Sequence, residues 1–229
     1  MTQGPASPLN ILYQDEWLVA VDKPAGHLVH PADKPQDDDL VTMKILRDQI
    51  GRLVYNIHRI DRPTTGVLLF SIDHEVTRHL HHALEQHEMQ KSYLAIASGT
   101  PETNQWQCHE AIQKNENTPA REAHTSFILL KKTIVNGQPL ALISATPHTG
   151  RFHQIRRHLL HADLPIIGDY RYAGIDQSDR MGKLLGTGTR MLLQSKSITF
   201  DHPVTGESIC IEAPADPLFS RCFPDYFAS

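Results

Sequence analysis

The stretch HRIDRPTTG (His58–Gly66), followed by VLLFSI (Val67–Ile72) and Asp73, decides how this chain is read. Pro63 at the second position of Arg62-Pro63-Thr64-Thr65 predicts a turn, and Gly66 releases the chain into an apolar run of strand length, Val67–Ile72. Asp73 stands where a helix N-cap belongs, and Val76, Leu80, Ala83, Leu84 and His87 follow it at helical spacing. His79, His81 and His82 fall on the outer side of that helix. Asp61 therefore sits on a loop at the entrance of a strand, flanked by Arg59 and Arg62. Nearby cations favour the ionised carboxylate, the state a nucleophile or general base requires. The same Asp can also be read as a carboxylate that caps its own turn.

Working towards the amino terminus, Ile11–Tyr13 and Trp17–Asp22 read as two short strands joined by the polar turn Gln14-Asp15-Glu16. The turn-rich segment DKPAGHLVHP (Asp22–Pro31) follows. The acidic run Asp37-Asp38-Asp39 reads as the solvated start of a helix over Leu40–Ile50, with Gly51 as its stop. Towards the carboxy terminus, Tyr93–Ala97, Thr125–Leu130, Leu140–Thr146 and Met191–Phe200 are strand candidates. The last is expected to pair with Ser208–Ala213 across the turn His202–Glu207. A single helix, His153–Ala162, interrupts them. Many strands with segregated helices predict an α+β fold with a mixed, mostly antiparallel sheet, flanked by helices and loops. Residues 1–10 are expected to form a flexible amino terminus and residues 11–229 a single catalytic domain.

Composition narrows the classes of function. With 40% hydrophobic and 21% charged residues the chain can bury a core, which excludes a disordered tail. No apolar stretch reaches the roughly 20 residues needed to span a bilayer, and the first residues lack the basic end and apolar stretch of a signal peptide. Three cysteines, Cys108, Cys210 and Cys222, make neither a disulfide framework nor a CxxC site, so a cytoplasmic protein is expected. A net charge of -4 argues against coating nucleic acid non-specifically, though it leaves room for a local basic cleft.

Two further segments carry chemistry. In TGRFHQIRRHL (Thr149–Leu159), Ile155, Leu159 and Ala162 share one helical face at about 100° per residue. Arg156 lies at the margin of that face, about 60° from Leu159, while Arg157 points nearly opposite. Arg156 can be half-buried and reach a carboxylate, Asp61 being one candidate among several. Arg157 is left for solvent or a phosphate, and Gly150 and Arg151 precede the helix where free backbone N–H groups could hold a phosphate. In KSYLAIASG (Lys91–Gly99), Tyr93 shares one side of a strand with Ala95 and Ala97. Its ring could stack on a base and its phenol could move a proton, although a strand tyrosine is also ordinary core.

Taken in order, HRIDRPTTG, KSYLAIASG and TGRFHQIRRHL, with DKPAGHLVH upstream and LPIIGD (Leu164–Asp169) downstream, resemble the RluA family of pseudouridine synthases. The resemblance runs from about Ile11 to Ala213. YQDEWLVAVDKPAG (Tyr13–Gly26), LRDQIG (Leu46–Gly51) and the DRPTTG form are most similar to the TruC branch, which modifies uridine 65 of certain tRNAs. The stretch between Gly99 and Ala123 and the carboxy terminus are shorter than that branch leads one to expect. The resemblance implies the pseudouridine synthase fold, a central catalytic cleft, and isomerisation of one uridine in RNA to pseudouridine. It implies Asp61 as nucleophile, Tyr93 packed against the target base and active in proton transfer, and Arg156 paired with the catalytic carboxylate. Neither cofactor nor metal is expected, because the reaction conserves atoms and electrons. RNA is the expected partner, tRNA favoured over ribosomal RNA, with no S4-like RNA-binding domain ahead of Ile11, no membrane and no obligate protein partner. A monomer is expected. Candidates for substrate contact are His58, Arg59, Arg62, Lys91, Arg151, His153 and Arg157.

Three rivals stay open at this point. A metal hydrolase would have to use the histidines, yet there is no H-E-x-x-H, and His158 and His161 are neighbours without a third ligand. A ribosomal RNA loop could replace tRNA as substrate. The same fold could also bind RNA without turnover.

Overall fold

The computed structural model describes residues 7–31, 36 and 39–228. In chain order it contains β1 (Asn10–Gln14), β2 (Leu18–Lys23), α1 (Thr42–Ile50), β3 (Tyr55–Asn56), β4 (Thr65–Ser71) and α2 (His74–Glu85). Next come β5 (Gln90–Ser98), β6 (Gln105–Cys108), β7 (Thr125–Val135), β8 (Gln138–Pro147), α3 (Gln154–His161) and α4 (Ile175–Leu185). The hairpin β9 (Leu193–Asp201) and β10 (Ser208–Glu212) precedes the short helices α5 (Pro217–Cys222) and α6 (Pro224–Phe227). Chain contacts divide these elements into two compact units, one drawn from residues 1–89 and 195–214, the other from 90–194 and 215–229.

In the first unit the strand order is β1-β2-β4-β9, with β10 on β9 and β3 on β4. The pairs β1/β2, β2/β4, β3/β4 and β9/β10 are all antiparallel. Alternation puts Leu18 and Ala20, Val67 and Leu69, and Ile198 and Phe200 into one core with Val76 and Leu80 of α2. The Asp73 carboxylate accepts the Val76 N–H at 2.9 Å, so α2 starts where the sequence predicts. His87 lies beyond its end, at φ 61, and does not extend the apolar stripe. His79, His81 and His82 are exposed, as expected. Within the amino-terminal stretch expected to be flexible, Leu9 is buried, its N–H and carbonyl both bonded to the Gln49 amide.

Two local expectations are corrected. The helix predicted from Leu40 begins only at Thr42, because Val41 forms a parallel bridge with Leu28 and keeps the preceding chain extended. Asp39 is no solvated helix start but pairs with Arg62 at 3.2 Å; Asp37 and Asp38 lie outside the described residues. Gly51 does end the helix, in the left-handed conformation that its missing Cβ allows. The turn placed at Arg62–Thr65 sits one residue earlier, closed by the Thr64 N–H on the Asp61 carbonyl at 3.0 Å.

In the second unit β5, β8, β7 and β6 lie side by side in antiparallel pairs. Leu94, Ile96, Leu140 and Leu142 pack with Met181 and Leu185 of α4 and with Phe219 and Phe223. Reading a single helix in this half was wrong: α4, α5 and α6 are also helical. In α4 the sequence offers Gly182 at mid-helix, normally an unfavourable choice. A Cβ there would stand 2.1 Å from the Gly188 carbonyl oxygen, so the glycine permits a backbone approach. Leu159 and Ile155 are buried as expected, but Ala162 is exposed at the C-cap and Leu164 is buried beyond it. No helix among the described residues is long and apolar enough to cross a membrane.

Candidate functional site

The loop that carries Asp61 is clasped by a second loop of the same unit. Lys23, at the end of β2, is wholly buried, and its ammonium donates to the carbonyls of Pro24 (2.8 Å), His27 (3.0 Å) and Arg62 (3.1 Å). A charge buried this deeply requires such partners. Gly26, at φ 85, donates its N–H to the Arg62 carbonyl at 2.8 Å, and the Arg62 Nε returns a bond to the Gly26 carbonyl at 2.9 Å. Asp61 is half-buried, and its loop is braced at Arg62, the residue that follows it. Lys23 was not singled out from the sequence. Its only signal is a lysine that ends an apolar strand just before Pro24-Ala25-Gly26.

Around this loop the other candidates divide. Arg59 is exposed, 3.5 Å from the His30 Nε2. Arg62 is also exposed, but it is held by Gly26 and Asp39. His58, a candidate for substrate contact, is buried, and its Nε2 accepts the Leu69 N–H of β4 at 3.2 Å. That bond gives the ring a structural task. Burial and the neighbouring Lys23 charge push the His27 imidazole below its ordinary range.

In the second unit, Tyr93 lies on β5 opposite Ala145 and is buried, like Leu94, Ala95, Ile96 and Ala97 beside it. Both sides of the strand are therefore covered. Lys91 is half-buried, and burial lowers its pKa, so it is a poorer surface cation than its sequence position suggests.

Arg156 is more deeply buried than predicted, at 5% exposure, and its carboxylate partner within this unit is Asp169. Nε donates to Oδ2 and Nη2 to Oδ1, both at 2.7 Å, a bidentate pair in which Asp169 is also buried. The same Oδ1 accepts the N–H groups of Arg171 (3.2 Å) and Tyr172 (3.3 Å). The Tyr172 ring lies 5.0 Å from the Arg156 guanidinium, and its hydroxyl is 3.0 Å from the His153 Nδ1. Asp169 stands directly after Gly168, where a Cβ would stand 2.0 Å from the Arg190 carbonyl oxygen. The backbone can therefore pass only with glycine at that point.

The start of α3 is organised by Gln154, also missed from the sequence. Its carbonyl accepts the Thr149 hydroxyl (2.7 Å) and the Arg151 N–H (2.9 Å), while its amide donates to the His124 carbonyl and the Thr125 hydroxyl, both at 2.9 Å. The Arg151 N–H expected to be free for a phosphate is therefore in use, and the Arg151 Nε donates to the Glu122 carbonyl at 2.9 Å. His153 caps the helix at φ 54, a left-handed conformation uncommon for a side chain of this size. Arg157 is half-buried, and its Nη1 donates to the Gln113 carbonyl at 2.6 Å. His158 Nε2 donates to the Glu110 carbonyl and Nδ1 meets the Thr125 hydroxyl, both at 2.9 Å. Among the described residues no three His, Cys, Asp or Glu side chains are grouped to hold a metal ion.

Residues 17–161 match the family described as RNA pseudouridylate synthase. The tRNA pseudouridine synthase C of Pasteurella multocida is 38% identical to this chain over 91% of it and 92% of its own length. That of Haemophilus influenzae is also 38% identical, over 93% and 95%, and that of Salmonella typhimurium 34%, over 95% and 90%. Among solved structures, human RNA pseudouridylate synthase domain containing 1 superposes with a TM-score of 0.75 at 21% identity, over 94% of this chain and 87% of that one. Human RNA pseudouridylate synthase domain containing 4 gives 0.73 at 22%, over 96% and 93%.

Proposed function

The chain belongs to the RNA pseudouridylate synthase family, and from that premise we propose that it converts one uridine of tRNA to pseudouridine in the cytoplasm, with Asp61 as the nucleophile. The observation that carries this is the similarity to three tRNA pseudouridine synthases C over nine-tenths or more of both chains. The reaction breaks the bond from C1′ to N1 of uracil, turns the base and joins C1′ to C5. C5 loses a proton and N1 gains one, so atoms and electrons balance without a co-reactant.

The residues suit this assignment. A reacting carboxylate must be held still, and the Lys23, Gly26 and Arg62 bonds brace the loop at the residue next to Asp61. Tyr93 is assigned the ring against the uracil and the phenol for proton transfer, and its buried strand position supports a fixed ring. Arg156 is assigned to the catalytic carboxylate, and the bidentate grip of Asp169 supports that role by fixing the plane of its guanidinium. A stacked uridine has to leave its helix before such groups can act on it.

The test is turnover of unmodified tRNA transcripts by the purified protein, with the position mapped by mass spectrometry. One uridine should be converted without added nucleotide, and Asp61→Asn should abolish conversion because the amide keeps the shape but loses the anion. Residual activity within about tenfold of wild type would remove Asp61 from its role. Refusal of every tRNA together with modification of a ribosomal RNA fragment would transfer the assignment to ribosomal RNA.

A further inference from the structure

Resting on the reading of this protein as an enzyme of RNA, we propose that Arg171 binds a backbone phosphate of the substrate RNA, on a ledge formed by Phe152 and Tyr172. The guanidinium lies 5.5 Å from the Phe152 ring and 5.9 Å from the Tyr172 ring. Phe152 is itself stacked on His153 at 3.7 Å, and His153 meets Tyr172 edge-on at 5.6 Å. The rings under the arginine are therefore tied to one another and to the strained cap of α3.

Two features distinguish Arg171 from three of the arginines that the sequence suggested for substrate contact. Arg62, Arg151 and Arg157 each donate to a backbone carbonyl of their own chain. Arg171 is exposed, and among the described residues its guanidinium donates to no protein acceptor. Aromatic faces attract a guanidinium without using its N–H donors, so the group is positioned while those donors stay open to an anion. Its place in the chain is also fixed, since the Arg171 N–H is bonded to Asp169 Oδ1, the oxygen that accepts Arg156 Nη2. A phosphate held by Arg171 is thereby registered against Arg156, the buried guanidinium assigned to the catalytic carboxylate. The arrangement reads backbone position rather than base identity.

Dissociation constants of the full chain for an unmodified tRNA transcript and for a ribosomal RNA fragment, over a range of salt, test this. Arg171→Met should weaken binding of the preferred RNA about tenfold and lower the slope of log K against log salt by about 0.7–0.9, the share of one phosphate contact. Arg171→Lys should keep the slope while still weakening binding, because an ammonium lacks the plane that rests on the rings. Arg180→Met, which removes an equally exposed arginine from α4, should change neither quantity by more than about twofold. An unchanged constant and slope in Arg171→Met, or an equal loss in Arg180→Met, overturns the proposal. If wild type converts no uridine in any RNA, yet Arg171→Met lowers affinity and slope as stated, the enzymatic reading fails and the phosphate contact stands.

Discussion

Replacing Asp169 by Asn removes one charge and almost no volume, and so isolates what the buried pair does. In the native protein Arg156 and Asp169 are 5% and 1% exposed, joined by two hydrogen bonds of 2.7 Å. The amide retains one acceptor oxygen and turns its NH2 towards a guanidinium N–H, so a hydrogen bond becomes a donor–donor clash beside a buried cation. Breaking a buried pair from one side costs about 3–5 kcal/mol, about a fifth or more of the stability of an ordinary domain. At about 2–4 °C per kcal/mol for a chain of this size, the midpoint should fall by about 6–20 °C. The two tryptophans allow a local assay, since Trp17 belongs to the first unit and Trp106 to the second. In a Trp17→Phe background, urea unfolding followed by fluorescence reports on the unit that holds the pair. Arg156→Met combined with Asp169→Leu should be less damaging than the sum of the single changes by about 2–3 kcal/mol. A loss below about 1 kcal/mol in Asp169→Asn, or strict additivity in the double variant, would refute the reasoning.

Two other outcomes follow from the same structure. Tyr93→Phe keeps the ring in its buried slot and removes only the phenol, so single-turnover conversion should slow about a hundredfold with little change in thermal midpoint; an unchanged rate would exclude the phenol from proton transfer. Acid should destabilise the protein: burial is the main cause holding His27, His124 and His158 below the ordinary histidine value of 6.5, aided at His124 by the charges of His148 and His109. Above that value these rings are neutral in both states, whereas below it the unfolded chain takes up protons the folded chain refuses, so stability falls as pH drops from about 7 towards 5. Thermal midpoints that stay level or rise between pH 7.5 and 5.5 would contradict this.

Periodicity made much of the fold legible. The apolar run of β4, the cap and stripe of α2, and the β9–β10 hairpin each follow from neighbours in sequence, where period and turn chemistry act. The misplaced features depend on contacts that local patterns do not encode. Val41 is drawn out of α1 by Leu28, thirteen positions earlier, and Gly182 looks like a helix breaker until the Gly188 carbonyl is seen against it. The row His109, His124 and His148 is of the same kind. These residues lie one step beyond the register Cys108–Thr125–Pro147, and their rings stack at 4.1 Å across three strands. Nothing in their spacing announces that column.

The sequence offers candidates for the reactive groups but hides the residues that support them, for a physical reason. The loop position of Asp61 and the core-side position of Arg156 leave short-range marks in the sequence, whereas Asp169 lies thirteen residues after Arg156 with no period connecting them. The arginines proposed for RNA proved harder still, because a guanidinium carries five donors and a carbonyl takes only one or two. Arg62, Arg151 and Arg157 each hold a loop by a carbonyl, and that grip also fixes the direction of the remaining donors. Removing any of them therefore disturbs loop and charge together, and a loss of RNA affinity alone would not separate the two. Arg171 differs because its fixed partners are ring faces, which leave its N–H groups open. In a chain of net charge -4, such locally ordered cations, rather than a broadly basic surface, are the means available for meeting phosphate.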